Sequence, residues 1–502
     1  MAAALALFAI AMGWRGSDLP AQLFRVDLFR RDGFVLWNSQ WFSGHPTLGY
    51  SVLSPVLGAI TGAIALGALS GVASAFLFDR LVYHEFGASS RVASIWFATS
   101  TVTNLVVGRV TFALGVTLML GALLALQRRR VWPAALCALL CSLASPVAAL
   151  FLAIACAAWG LARPERRVVA WIIGAIGIAP VLLVAALFPS PGAQPYELWA
   201  LGCDLALCVG VAILVPARFG VLRWGAGVYA AVLVATYLIA TPLGGNVSRL
   251  NQYAAGPLLA CALWDRRRAL VVALALPLLF WQWFPTFDTI AFARHDPSTH
   301  RAYYQPLLAV LDAAPNTFGR VEIPVTYRHW ESSYVSPELS LARGWERQLD
   351  RAYDAQFYDH TLDASSYRTW LSENAVEYVA LPDTQLDDSS WIEAHLLEQG
   401  QAYLKPIWRN AHWRVWRFTG YHGLVDGPAR LQSITADSFT LAVTGPGAVT
   451  VHVHDSSHWA VQGGGCTTAT TDGWTRLRNL NPGEVRVVQA LRGTRCDHDT
   501  QN

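Results

Sequence analysis

Long apolar runs fill the first part of this chain, from Met1 to about Phe284. Many of them approach the roughly 20 residues that an α-helix needs to cross a bilayer core of about 30 Å. Hydrophobic residues make up 54% of the whole chain, and one soluble core could not bury so many apolar helices. The pattern predicts a polytopic α-helical membrane protein with about eleven transmembrane helices in residues 1–284.

The distribution of arginine between the loops predicts the orientation in the membrane. Alternate short loops together hold thirteen arginines, whereas the opposite loops hold little beyond Arg109 and Arg249. By the positive-inside rule the arginine-rich loops are cytoplasmic. With eleven helices, the N-terminus is then cytoplasmic, and the loop 15–50 and the chain after residue 284 lie outside the cytoplasmic membrane. One region is ambiguous, because Ser145-Pro146 either separates two short helices or kinks a single one.

The remainder of the chain has the composition of soluble domains. Residues 285–420 alternate helix-like and strand-like segments, which predicts an extracytoplasmic α/β domain. Residues 421–502 show period-two alternation with turn signals such as Asn481-Pro482-Gly483, which predicts an extracytoplasmic β-sandwich. Cys466 and Cys496 are the only cysteines in this part of the chain. An oxidising compartment would favour a disulfide between them.

The sequence argues against two kinds of partner, a nucleic acid and a metal ion. The net charge is only +3, and no arginine-rich tail or aromatic-basic pattern is present, so we expect no nucleic acid. His329 and Glu331 lie two residues apart, as do His452 and His454. Neither pair has a third ligand at a recognisable spacing, so the sequence predicts no metal site.

The first predicted outer loop, residues 15–50, is the most unusual segment. Asp18 stands at the start of an amphipathic helix that would lie in the membrane interface. Asp18 is either the N-cap of that helix or a base that activates a sugar hydroxyl in an outer cavity. The aromatic residues that follow are either an interfacial belt or the wall of a substrate cavity. The loop residues assigned to that cavity are Asp27, Trp37, Trp41, His45 and Tyr50.

Other polar residues stand near the predicted outer face. Arg109 lies between two apolar runs, and Arg249 follows the turn that contains Asn246. Arginine is suited to bidentate phosphate contacts, although anchoring in the lipid headgroups explains both residues equally well. Asp204 lies inside an apolar run, where a charge requires a cavity or a partner. We assign Asp204 and Asn246 to the substrate cavity, with a structural polar contact as the alternative for Asp204.

The outer loop also carries a recognisable arrangement of residues. It consists of Asp18, Leu23-Phe24-Arg25-Val26, Gly33, Leu36-Trp37, Trp41, Gly44-His45-Pro46, Tyr50 and Pro55. This arrangement is similar to the first periplasmic loop of the bacterial multispan proteins grouped as 6-pyruvoyl-tetrahydropterin-synthase-related membrane proteins. More broadly, it looks like the GT-C superfamily of glycosyltransferases.

The resemblance implies a GT-C-like fold and an inverting glycosyltransferase. Such an enzyme takes a sugar from a polyprenyl-phosphate donor in the bilayer and passes it to a glycan or lipid of the cell envelope. Asp18 takes the place of the catalytic base, and we assign the donor phosphate to Arg109 and Arg249. The paired acidic residues of many GT-C enzymes are absent, because Leu19 follows Asp18. No cofactor is therefore assigned, and use of a divalent cation is left open.

Two other functions stay in consideration. One is a non-catalytic envelope protein, either an assembly factor or a scaffold that binds glycan or protein. The other is a transporter, which fits less well because transporters usually show broken or charged helices at mid-membrane and two related halves.

Overall fold

The computed structural model describes residues 1–314 and 318–496. The chain divides into two compact units, and each unit contains two separate stretches of the chain. The first unit is Met1–Val26 with Leu48–His295, and the second is Asp27–Thr47 with Asp296–Asn502. The last six residues of the predicted domain 421–502 lie outside the described residues.

The first unit is built from helices. Gly62 and Gly108, both at positive φ, separate consecutive helices. Ser145 caps a new helix by accepting a hydrogen bond from the Ala148 N–H, with Pro146 in its first turn, so residues 131–162 form two helices. The helices up to residue 292 are α1 (Ala2–Ala11), α2 (Leu19–Asp32), α3 (Leu53–Thr61), α4 (Ala63–Phe86), α5 (Arg91–Val107), α6 (Val110–Gln127), α7 (Val131–Ala144), α8 (Pro146–Ala162), α9 (Arg167–Leu187), α10 (Leu198–Leu214), α11 (Gly220–Leu238), α12 (Arg249–Leu263) and α13 (Arg268–Phe292).

Several of these helices suit a membrane. Within the described residues, five helical segments are long and apolar enough to cross a bilayer, and four shorter apolar helices accompany them. Large apolar side chains are exposed on their surfaces, as at Leu182, Ile213 and Leu276. A membrane protein is therefore supported, while the number of spans stays a prediction. The five segments are Ala63–Val107, Val110–Gln127, Pro164–Leu187, Gly220–Leu238 and Arg268–His295.

The second unit combines helices with three larger sheets. One sheet has the strand order β3-β4-β6-β5, in which β3 and β4 are parallel and the other pairs antiparallel. Two further four-stranded antiparallel sheets, β12-β13-β10-β7 and β11-β14-β9-β8, contribute to one apolar core. The helices are α14 (Arg301–Asp312), α15 (Glu331–Tyr334), α16 (Arg347–Tyr353), α17 (Ala364–Glu373) and α18 (Trp391–Gln399). The strands are β1 (Trp37–Asn38), β2 (His45–Pro46), β3 (Arg320–Glu322), β4 (Val376–Pro382), β5 (Leu404–Arg409), β6 (Trp413–Phe418), β7 (Val425–Asp426), β8 (Ala429–Ile434), β9 (Ser438–Val443), β10 (Val449–His454), β11 (Trp459–Gln462), β12 (Cys466–Ala469), β13 (Trp474–Arg478) and β14 (Gly483–Gln489).

Residues 27–47 are an integral part of the second unit. Trp37 belongs to the core of the two antiparallel sheets and meets Trp459 edge to face, with 5.5 Å between the ring centroids. Trp41 is fully buried, and its indole N–H donates a 2.6 Å hydrogen bond to Ser336 Oγ. Much of the first loop therefore contributes core side chains to the second unit.

Replacing Trp37 should destabilise the second unit. Trp37→Ala leaves a cavity in a close-packed core, and such truncations cost about 3–5 kcal/mol of unfolding free energy. We expect faster amide hydrogen exchange in β9 and β14 of the full-length protein. Phe34→Ala is the matched control, because Phe34 is 55% exposed. Equal exchange in both variants would contradict this assignment of Trp37.

Candidate functional site

Backbone hydrogen bonds place Asp18 in the first unit. The Gly16 N–H donates to Val106 O at 2.9 Å, and the Asp18 N–H donates to Val107 O at 3.0 Å. These two carbonyls belong to the last turn of α5, whose C-terminal carbonyls have no partner within the helix. The segment before α2 thus satisfies the end of α5 and holds Asp18 beside it.

Two glycines make this close approach sterically possible. A Cβ on Gly16 would lie 2.5 Å from Val106 O. Gly108 has φ +93°, and a Cβ there would collide with the backbone of Leu19. A side chain at either position would push the Asp18 segment away from α5.

Arg109 and Arg249 converge on the Asp18 carboxylate. Arg109, directly after Gly108, places Nε 3.3 Å from Asp18 Oδ2. Arg249 is the first residue of α12, and its Nη2 lies 4.0 Å from the same oxygen. The three side chains are between 18% and 25% exposed. Two guanidinium groups thus share one carboxylate, and the cluster has a formal charge of +1.

The two arginines also line a small polar cavity. Its volume is about 10 Å³, enough for one water-sized group. The amide Nδ2 of Asn104, in its wall, is buried without a hydrogen-bond partner among the described residues. Sequence reasoning missed these wall residues, although polar side chains inside apolar runs are the available signal. The remaining wall residues are Thr103, Phe112, Gln252, Tyr253, Gln282 and Pro285.

The small cavity is not lined by any of the other predicted loop residues among the residues that the structure describes. Tyr50 belongs to the first unit and interacts electrostatically with Arg249. Gln22 donates to its hydroxyl at 2.9 Å, and the Arg25 guanidinium lies 3.9 Å from its ring centroid. Asp27 belongs to the second unit and pairs with Arg30 at 3.3 Å on an exposed helix face. The structure assigns three more to the interior of the second unit, namely Trp37, Trp41 and His45.

Asp204 and Asn246 do not line the cavity described above. Asp204 is fully buried and accepts three side-chain hydrogen bonds. Asn246 lies in a short 3-10 turn, Gly244–Ser248, that leads directly into Arg249. Both residues therefore surround the backbone that carries Arg249.

The second unit contains the one disulfide among the described residues. It joins Cys466 and Cys496. Within residues 1–314 and 318–496, no group of three or more histidine, cysteine, aspartate or glutamate side chains is arranged to hold a metal ion.

A second cluster of ionisable groups is buried in the second unit. Arg343 binds Asp350 through two hydrogen bonds of 2.9 and 2.7 Å, and Arg347 binds Asp387 through two of 2.7 and 2.6 Å. Glu322 is fully buried, and among the described residues neither of its carboxylate oxygens has a hydrogen-bond partner. Carboxylates outnumber arginines, so full ionisation would leave uncompensated negative charge in the interior. The carboxylates are Glu322, Glu331, Asp350, Asp354, Asp387 and Glu393.

In this cluster some carboxyl pKa values are raised and one is lowered. Burial raises the pKa of the Glu331 carboxyl to about 8, against the opposing effect of a hydrogen bond from Thr326. Burial raises the pKa of Glu393 to about 7, and Arg343 opposes the shift. Although burial acts the other way at Asp387, hydrogen bonds from Arg347 and His329 hold its pKa well below its ordinary value. Some carboxyl groups of the cluster are therefore protonated at neutral pH, Glu331 among them.

No protein-family model matches this chain, and no curated protein gives a significant match.

Glu331 should make the second unit lose stability as the pH rises from about 5 to about 8. A carboxyl whose pKa is raised in the folded state contributes stability that is complete below its ordinary pKa and is lost as the pH rises through the folded value. For Glu331 the folded value is about 8. Within this window such a carboxyl changes the unfolding free energy by about 1.4 kcal/mol per pH unit.

Glu331→Gln tests this pH dependence. The amide keeps an oxygen for the Thr326 hydroxyl, which donates to Glu331 at 2.6 Å, but it cannot titrate. Hydrogen exchange of β4 in the full-length protein at several pH values measures the local stability, and the variant should show the smaller slope. Glu338→Gln is the control, since Glu338 is on the surface. A slope in Glu331→Gln equal to that of the wild type would refute the assignment.

Proposed function

We propose that the protein is a glycosyltransferase of the GT-C type that acts on the extracytoplasmic face of the cytoplasmic membrane. It transfers a sugar from a polyprenyl-phosphate donor to a cell-envelope glycan or lipid. Asp18 is the base, and Arg109 and Arg249 bind the donor phosphate. The polyprenyl chain lies in the bilayer, beside the apolar helices of the first unit.

The observation that carries the proposal is the convergence of Asp18, Arg109 and Arg249. These residues lie far apart in the chain, yet both guanidinium groups are within 4.0 Å of one carboxylate oxygen. Arginine offers planar pairs of donors that match phosphate oxygens. The formal charge of +1 favours the entry of an anion, and the partly buried setting strengthens that attraction relative to water.

Phosphate binding and base catalysis are coupled in this arrangement. Both guanidinium groups lie at one oxygen of the Asp18 carboxylate. The donor phosphate competes with Asp18 for the same guanidinium groups. Once the phosphate takes them, the Asp18 carboxylate can accept the hydroxyl of the acceptor next to the reacting sugar.

The reaction then follows by direct displacement. The acceptor hydroxyl gives its proton to Asp18, and its oxygen attacks the anomeric carbon of the sugar. The bond from that carbon to the phosphate oxygen breaks, and the polyprenyl phosphate leaves with the bonding electron pair. Arg109 and Arg249 stabilise the charge that develops on the phosphate. Attack opposite the leaving group inverts the anomeric configuration.

The proposal includes the topology inferred from the sequence. About eleven helices cross the membrane, with the N-terminus in the cytoplasm and the second unit outside. Support comes from the five long apolar segments and four shorter ones among the described residues. The asymmetric distribution of arginine between alternate loops supports the orientation.

A non-catalytic scaffold is the second candidate. The specific observation in its favour is that Asp18 is already paired with both arginines, as it would be in a cluster that serves only to join α5, α12 and the segment before α2. In that case the cluster binds neither phosphate nor sugar, and the second unit recognises an envelope glycan or protein.

Asp18→Asn should abolish sugar transfer while the protein stays folded. Loss of a general base lowers rates by about 10²–10⁴-fold. The assay follows radiolabelled sugar from a panel of polyprenyl-phosphate sugars to envelope acceptors, with purified protein in lipid vesicles. Asp27→Asn is the matched control, because Asp27 is a half-exposed carboxylate that pairs with Arg30 and belongs to the second unit.

The variants separate the two candidate functions. Transfer that survives in Asp18→Asn refutes the base assignment. If the folded protein transfers sugar from none of the donors and binds no polyprenyl phosphate, the result favours the scaffold. Arg109→Gln and Arg249→Gln should weaken donor binding, because each removes a phosphate contact.

A further inference from the structure

Asp204 is a buried carboxylate at the centre of a hydrogen-bond cluster in the first unit. It lies in α10 and is 0% exposed. The Tyr196 hydroxyl donates to Oδ2 at 2.8 Å, the Ser248 hydroxyl to Oδ2 at 2.5 Å, and Asn251 Nδ2 to Oδ1 at 2.9 Å. A carboxylate inside an apolar helix bundle is costly unless its oxygens are satisfied, and here three donors satisfy them.

Two of the three donors flank Arg249. Ser248 precedes it directly, and Asn251 follows it by two residues in the first turn of α12. Asn251 Nδ2 also lies 3.2 Å from the backbone oxygen of Asp204. The Tyr229 hydroxyl donates to Val247 O at 2.7 Å, which holds the preceding 3-10 turn. The start of α12 is therefore tied to α10 on both sides of Arg249.

The Arg249 side chain depends on this backbone for its position. Its Nη2 is 4.0 Å from Asp18 Oδ2, which is longer than a hydrogen bond. Its guanidinium also lies over the Phe112 ring, 5.5 Å from the centroid, a contact that fixes direction only weakly. The carboxylate of Asp18 thus does not lock Arg249 in place, whereas the ties at Ser248 and Asn251 fix its Cα.

We propose that Asp204 is a positioning residue that sets Arg249 for anion binding by holding Ser248 and Asn251. This inference rests on the proposed function, in which the anion is the phosphate of the lipid-linked donor. Asp204 itself touches neither phosphate nor sugar. Without it, the start of α12 rotates or frays, and Arg249 no longer points at the site beside Asp18.

Asp204→Asn is the most informative change because it preserves size. An asparagine is neutral and offers one acceptor oxygen where the aspartate offers two. The hydrogen bonds of Ser248 and Asn251 then lose their ionised acceptor, and charge-assisted hydrogen bonds are about twice as strong as neutral ones. Ser248→Ala and Asn251→Ala each remove one tie and serve as independent variants if Asp204→Asn does not fold.

The test measures the affinity of the full-length protein for polyprenyl phosphate in nanodiscs of a zwitterionic lipid. We expect Arg249→Gln to weaken binding by about 10-fold or more, and Asp204→Asn by about 5-fold or more. The double variant should bind no more weakly than Arg249→Gln alone, because Asp204 acts only through Arg249. Tyr196→Phe is the matched control, since it removes the donor that is not attached to α12, and it should stay within about twofold.

The outcomes distinguish the two proposals. Unchanged affinity in Arg249→Gln removes the phosphate contact on which the proposed function depends, and the positioning role falls with it. Weakened binding in Arg249→Gln with unchanged binding in a folded Asp204→Asn variant overturns the positioning role alone. Losses that add in the double variant also overturn it, because they show that Asp204 acts on binding without Arg249.

Discussion

Charge in a setting of low polarity is the constraint on which this structure depends. An ionised side chain taken out of water must find opposite charge or several hydrogen bonds, or it must change its protonation state. In the first unit Asp18 has two arginines, and Asp204 has two hydroxyl groups and an amide. In the second unit the buried carboxylates exceed their arginines, and burial raises the pKa of Glu331 to about 8. The hydrogen bonds and ion pairs in each case also hold together the backbone segments that carry the charged side chains.

The site in the first unit is positioned mainly by backbone. Gly16 and Gly108 remove the Cβ atoms that would keep the Asp18 segment away from α5, and main-chain hydrogen bonds then hold it there. Arg109 directly follows Gly108 and precedes the first residue of α6. The position of Arg249 depends on the hydrogen bonds that Ser248 and Asn251 donate to Asp204. Such a preorganised set of charges costs little reorganisation when an anion enters. The arrangement suits the competition between phosphate and Asp18 that the proposed mechanism requires.

The composition of the second unit changes how its function must be studied. Residues 27–47 supply Trp37 and Trp41 to its interior, so a fragment that contains only residues 285–502 lacks part of its own core. Removing large buried aromatic groups costs several kcal/mol, comparable to the total stability of many domains. A search for glycan or protein partners of this unit therefore needs the full chain, or a design that restores the loop.

The sequence by itself determined the local features. Apolar runs indicated the helices of residues 1–284, although α13 continues to Phe292, and the composition after residue 284 separated the β-rich part of the chain. It also singled out Asp18, Arg109 and Arg249, but each had a simple local alternative. Only the tertiary structure brought these three together, placed Trp37 in a core far along the chain, and turned Asp204 toward α12. Helix and strand periodicity reflects contacts a few residues apart, whereas a site depends on packing between distant segments, which no local pattern encodes.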